Sequence, residues 1–177
     1  YTLDSTFTYS GYMHEDAGVI SSDYGIGSQV PLSDLLNDLI IYSDNDAGHI
    51  LYENLGGWKE YKEAMTKYTD SISENYYTMD NVTTANTMND VVTYLYDHKE
   101  DYKGLIKNME KAEPGEYLDR DTQLSMPQKY GMYDYALNSV GFVECNTSYS
   151  IVVLTSLGDK GADVMANINR IAYEHFK

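Results

Sequence analysis

Ten residues in the first third of the chain, Tyr42-Ser43-Asp44-Asn45-Asp46-Ala47-Gly48-His49-Ile50-Leu51, constrain the fold more than any others. Ser43-Asp44-Asn45 stands between two apolar-periodic segments. Leu35, Leu36, Leu39 and Ile40 lead in; Ala47, Ile50, Leu51 and Leu55 lead out. Asp and Asn side chains bond nearby backbone groups, so they favour caps over helix interiors. The pattern predicts one helix ending near Ile41, a tight polar junction, and a second helix stopped by Gly56-Gly57. The junction would place a hydroxyl and an amide at a helix end. Taken alone, the tripeptide reads first as an ordinary capped helix–helix turn.

The charge balance narrows the classes of partner. Asp and Glu number 28 against 12 Lys and Arg, a formal net charge of −16, so clustered cations for nucleic acid or an anionic membrane surface are not expected. A single cysteine, Cys145, excludes an intrachain disulfide, and its place after an apolar run predicts a strand end. At 177 residues the chain is read as one domain, residues 1–177. No run reaches the roughly 18 apolar residues of a membrane span. The 19 tyrosines would suit glycan or peptide ligands, although compositional bias is the commoner source of such enrichment.

Residues 1–30 carry many turn formers, with Thr6-Phe7-Thr8-Tyr9 a short extended piece, and read as an excursion over the surface and not as core. Pro31-Leu32-Ser33-Asp34 opens a helix with Ser33 as the expected N-cap. Trp58, Tyr61, Met65 and Tyr68 predict another helix, residues 69–82 a loop, and Thr83-Thr84 the cap of a helix bearing Met88, Val91, Val92, Leu95 and Tyr96. A shorter helix around Leu105, Ile106 and Met109 ends before Glu113-Pro114-Gly115. From about residue 128 the period shifts to that of strands. Leu137–Val143 and Tyr149–Thr155 form a hairpin across Asn146-Thr147-Ser148, and an amphipathic C-terminal helix follows. The order is α+β: a mainly helical body over about 30–127, then an antiparallel sheet and covering helix over about 128–177. Three strands at most make a thin sheet for so long a helix.

Ser43-Asp44-Asn45 precedes Lys129-Tyr130-Gly131 by about eighty residues, with the Gly56-Gly57 stop and Thr83-Thr84 start between them. This order resembles the serine β-lactamases of class A and the related D,D-peptidases (penicillin-binding-protein-like), whose motifs are S-x-x-K, then S-D-N, then K-[ST]-G on a strand. YSDNDAGHILYENLGG is similar to the second motif and its helix, NVTTANTMNDVVTYL to a later threonine-started helix, and the segment from Gln128 to Ser156 to the third motif and its hairpin. The resemblance implies acyl transfer on a β-lactam or a peptidoglycan-type peptide through a nucleophilic serine, with no cofactor and no metal. It implies that Ser43 relays a proton, Asn45 binds the substrate amide, and Asp44 holds the turn from beneath. Lys129 would draw a substrate carboxylate, with Tyr130 and Gly131 lining substrate along the strand. It also implies a bacterial protein that is extracellular or attached to the cell surface.

Three departures accompany the resemblance. The position three after each Ser never holds Lys, and only 42 residues precede Ser43, whereas the family spacing from nucleophile to S-D-N is about sixty. The expectation is a chain that begins downstream of the nucleophile's helix and lacks the first strands of the sheet. The strand Ile151–Thr155 would then expose an edge for the N-terminal segment or a neighbouring chain to pair with. Second, Tyr130 replaces the small hydroxyl residue. Third, Glu60, Glu63 and Glu74 lack the E-x-x-L-N context of a deacylating glutamate. An alternative function follows, a catalytically dead module of this fold that binds peptide or cell wall. Asp44-Asn45-Asp46 does not continue as a calcium loop, since the twelfth position is Leu55. His14, His49, His98 and His175 lack paired ligand spacing and are read as surface or capping residues.

Overall fold

A computed structural model describes residues 1–11 and 18–177. Strand β1 (Thr6–Thr8) pairs antiparallel with β2 (Gln29–Pro31), so that Phe7 faces Val30. Helix α1 (Val19–Asp23) lies between them in sequence. The helical body follows as α2 (Leu32–Ile41), α3 (Asn45–Asn54), α4 (Trp58–Met65), α5 (Ala85–Asp97) and α6 (Lys103–Met109). Strands β3 (Gln128–Tyr133), β4 (Ala136–Val143) and β5 (Tyr149–Thr155) form an antiparallel sheet in that order, and α7 (Lys160–Phe176) completes the chain. The architecture is α+β, as the sequence predicts.

The N-terminal stretch departs from expectation. Residues expected to run over the surface supply Phe7, Tyr9, Ile20 and Val30 to a buried cluster closed by Leu35, Ala47 and Ile50. The cause is strand alternation: Thr6 and Thr8 point outward while Phe7 points in. The paired strands thereby put one apolar row onto α2 and α3. Ser33 is likewise not the N-cap of α2. That position is Pro31, in extended backbone and without a side-chain cap. The amides of Leu32 and Ser33 donate instead to the carbonyls of Ser5 (2.8 Å) and Leu3 (3.1 Å). The N-terminal tail therefore satisfies donors that an N-cap side chain would otherwise meet.

Other boundaries follow the sequence. Gly56 and Gly57 take φ of 98° and 85° and end α3, and the Thr84 hydroxyl accepts the Thr87 amide at the start of α5. No helix or strand is assigned over residues 69–82. That loop is nonetheless anchored: Thr69 Oγ1 donates to Asp90 (2.7 Å), and buried Lys62 donates to the Asp80 carbonyl (2.9 Å) with its ammonium 4.5 Å from the Tyr76 ring centre. Burial holds the Lys62 ammonium below the usual lysine range, opposed by the Asp80 carboxylate.

The three-stranded sheet has two unlike faces. Leu137, Val143, Ile151 and Val153 pack with Met165 of α7. On the other face Phe142 meets Tyr96 of α5 edge-on at 5.3 Å, and Ser150 donates to Asn89 of the same helix (2.7 Å). Among the described residues, β5 pairs with β4 alone, and so does β3.

Candidate active site

The junction after α2 is fixed by its own backbone and by Asp44. Ser43 adopts φ of 56°, in the left-handed region that costs an L-residue about 1 kcal/mol. Two bonds beyond it hold that geometry. The Asp44 amide donates to the Asp38 carbonyl (3.2 Å), and Asp44 Oδ1 accepts the Ala47 amide (2.8 Å) as the N-cap of α3. Asp44 Oδ2 accepts the Ile20 amide of α1 at 3.1 Å. Asp44 is only 2% exposed. Asp46, also buried, accepts the Tyr9 phenol at 3.2 Å. Tyr9 and Ile20 thus brace the junction from below. Asn45, the first residue of α3, lies exposed beside Ser43.

Lys129 reaches this junction from the sheet. Its Nζ hydrogen-bonds Ser43 Oγ, 86 residues away in sequence. The register explains the direction. Lys129 lies opposite Val140, and Val140 shares a face with Phe142, which meets α5. The side chain therefore projects toward the helical body. Gln128, one residue earlier, points to the α7 side and is 1% exposed. It accepts the Leu118 amide (3.0 Å) and donates to Asp119 Oδ1 (2.8 Å) and to the Glu113 carbonyl (3.2 Å). Gly141 across from it lets the chain approach closely, since a Cβ there would sit 2.4 Å from the Pro127 carbonyl oxygen. These contacts set where β3 starts and hence where Lys129 stands.

Burial pushes the Lys129 ammonium down to about 8, opposed by the Glu113 carboxylate. Lys129 Nζ also lies 4.6 Å from the centre of the Tyr130 ring. The two meet although successive strand residues start on opposite faces, on a strand that, among the described residues, pairs with β4 alone. Tyr130 in turn stacks on Tyr117, with ring centres 4.5 Å apart and planes 22° from parallel. Gly131, next along the edge, is exposed.

Ser43, Asp44, Asn45 and Lys129 are thus brought together at one junction, and Tyr130 and Gly131 continue along the strand that carries the lysine. Glu60, Glu63 and Glu74 are all exposed. Sequence reasoning passed over Tyr117, Glu113 and Gln128. Nothing in spacing marks Tyr117 or Glu113, which lie in an irregular segment. Gln128 could have been noticed as the polar residue that opens the strand, one position before Lys129. A concavity of about 450 Å³ lined by Lys99, Lys103, Met126, Phe142 and Glu144 lies elsewhere and includes neither Ser43 nor Lys129. Among the described residues no three His, Cys, Asp or Glu side chains are grouped to hold a metal ion. His14 lies outside the described residues.

The model of the Beta-lactamase2 family, described as a beta-lactamase enzyme family, matches residues 1–176, and the chain belongs to that family. The fold is similar to that of a PBP-A mutant solved as an acyl-enzyme complex with penicillin G. That match has 16% identity and a TM-score of 0.80, covering 99% of this chain and 72% of that one. It is similar also to the TLA-1 extended-spectrum beta-lactamase in a mutant form, at 17% identity and a TM-score of 0.82, covering 98% and 75%. A class A beta-lactamase from Bacteroides cellulosilyticus matches at 20% identity with a TM-score of 0.77, covering 98% and 74%. None of the curated proteins matches the sequence.

Proposed function

We infer that this chain supplies the helical and sheet walls of a serine acyl-transfer site acting on a β-lactam or a peptidoglycan-type peptide, without its nucleophile. The observation that carries the reading is the bond between Lys129 and Ser43, which joins the two motif residues across 86 positions. Ser43 relays a proton toward the leaving nitrogen. Asn45 orients the substrate amide, and Lys129 attracts the substrate carboxylate in an otherwise strongly acidic protein. The nucleophile comes from an S-x-x-K segment of the whole protein, and the 177 residues alone hydrolyse no β-lactam. The protein works outside the bacterial cell or on its surface. One domain over residues 1–177 carries these parts.

The sheet supports a companion proposal. Among the described residues the outer edge of β5, over Ile151–Thr155, has no paired strand, and an N-terminal segment or a neighbouring chain completes it. A test is direct. The whole protein is incubated with penicillin G, and its intact mass gains one penicilloyl group on the S-x-x-K serine. A whole protein that carries S-x-x-K and shows no adduct sinks the reading.

A second reading is favoured by Tyr130. Its ring is engaged by Tyr117 where the family has a small hydroxyl for the substrate carboxylate. On this reading the domain is catalytically dead and binds peptide or cell wall. Measurable β-lactam turnover by the whole protein excludes it.

A further inference from the structure

We propose that Tyr133 and Tyr135 form a stacking platform for an N-acetylated amino sugar, so that the ligand of the cleft is a peptide still joined to its glycan. The proposal deepens the peptidoglycan reading above and rests on it.

The first observation is an aromatic pair that folding does not require. Tyr133 ends β3 opposite Ala136, and Asp134 and Tyr135 form the turn between them, with Asp134 at φ of 53°. Such a turn asks for residues that tolerate positive φ, not for aromatic rings. Tyr133 and Tyr135 are 86% and 71% exposed, so they add little to the core. Leu157, itself exposed, adjoins them, because the Gly158 amide donates to the Tyr135 carbonyl at 2.8 Å. Exposed apolar surface gathered in this way marks a place of contact.

The second observation is continuity with the cleft. Lys129, Gly131 and Tyr133 alternate onto one face of β3. Four strand residues span about 13 Å, the reach of a ligand peptide of about four extended residues. Gly131 lies midway and carries no side chain, and a Cβ there would meet nothing within 4 Å. A ligand whose carboxylate lies at Lys129 therefore meets no side chain of β3 on that face before the Tyr133 ring.

The chemistry of the surface selects the occupant. A pyranose ring has a face of C–H bonds and a rim of hydroxyls, and tyrosine offers an apolar face with a polar tip. An acetamido group adds one N–H donor and one carbonyl acceptor. Among the described residues β3 pairs with β4 alone, so its outer edge offers main-chain groups of both kinds. Charge opposes the other occupants. Asp134 at the hairpin tip and a net charge of −16 repel an anionic lipid surface or an acidic peptide, and a neutral sugar meets no such repulsion.

The experiment titrates the whole protein with the tetramer of N-acetylglucosamine in a calorimeter. Saturable binding is expected, with a Kd of about 1 mM or tighter. Tyr133→Ala should weaken it by about 10-fold, the loss of one stacked ring, and Tyr135→Ala should act in the same direction. Tyr133→Phe keeps the ring and should keep most of the affinity. Cellotetraose, which lacks acetamido groups, should bind more weakly. Thermal melts report the folding of each variant. No saturable binding, or undiminished affinity in folded Tyr133→Ala, overturns the proposal. So does a different occupant without sugar binding: a dimer in sedimentation that Tyr133→Ala dissolves, or flotation with anionic phospholipid vesicles. Sugar binding by a whole protein that gains no penicilloyl group keeps the platform and rejects the acyl-transfer chemistry. A penicilloyl group without sugar binding rejects the platform alone.

Discussion

The two walls of the site are held by different physics. On the helical side, the Ser43–Asp44–Asn45 junction is fixed by bonds to groups that are mostly close in sequence. Asp44 caps its own helix, and its amide reaches back to Asp38. On the sheet side, Lys129 is hydrogen-bonded to a partner far along the chain, and its position is set by strand register. The first wall is stabilising where it stands. The second is a half-buried cation whose partial desolvation is itself a cost, a common sign of a group kept for function. The contrast predicts that damage to the first wall is read mainly in stability, and damage to the second mainly in ligand chemistry.

The largest stability effect should come from Asp44→Ala. It removes a helix cap and leaves the buried Ile20 amide without an acceptor, and should cost about 2–4 kcal/mol in urea unfolding. A loss below about 1 kcal/mol would mean that the junction is not locally fixed. Gly141→Val comes next. The close approach of the Pro127 carbonyl forces β3 and β4 apart, for about 1–3 kcal/mol by the overpacking rule. Because β3 carries the lysine, that variant should also weaken penicillin acylation of the whole protein.

Lys129→Met should spare stability near neutral pH while strongly reducing penicillin acylation, since it removes a desolvated charge and keeps the aliphatic stem. The pH dependence has a definite sign. The folded-state value of Lys129 lies below its unfolded one, so the unfolded chain binds more protons between about pH 8 and the ordinary lysine value of 10.5. The contribution of this group to stability therefore rises with pH across that window and is flat below it. Tyr24, Tyr76 and Tyr149, each pushed up to about 12, oppose the trend as pH passes the ordinary tyrosine range. The informative quantity is the difference between the parent chain and Lys129→Met. If that difference does not change from pH 8 to 10, Lys129 is not desolvated.

The smallest effect is expected for Ser43→Gly. Relief of the left-handed backbone, about 0.5–1 kcal/mol, offsets the lost bond to Lys129 and the greater freedom of the unfolded glycine. A net change larger than about 1 kcal/mol in either direction would show that the Ser43 hydroxyl is part of the scaffold.

Features with local causes were legible in the sequence. The Asp44 cap, the Gly56-Gly57 stop, the Thr84 cap and the β4–β5 hairpin each depend on a few adjacent residues, and the α+β class followed from their order. Motif resemblance placed Ser43 and Lys129 in one expected site, but their direct contact is encoded by no periodicity. What escaped were elements whose meaning depends on partners far away. Phe7 and Tyr9 look like part of a turn-rich strap until Val30 and Asp46 are placed against them. Ser33 has the composition of a cap, yet Leu3 and Ser5 had already taken the task. Tyr117 gains its role only once the strand edge brings Tyr130 under it.

The carbonyls of Leu3 and Ser5 that receive the first amides of α2 have a consequence for how the molecule opens. A helix capped by its own side chain frays independently of distant segments. Here the first turn of α2 is tied to a tail that begins about thirty residues upstream, so the two should come apart in one event. The amides of Leu32 and Ser33 should therefore exchange with deuterium at the rate at which the N-terminal tail detaches, faster than the interior of the same helix.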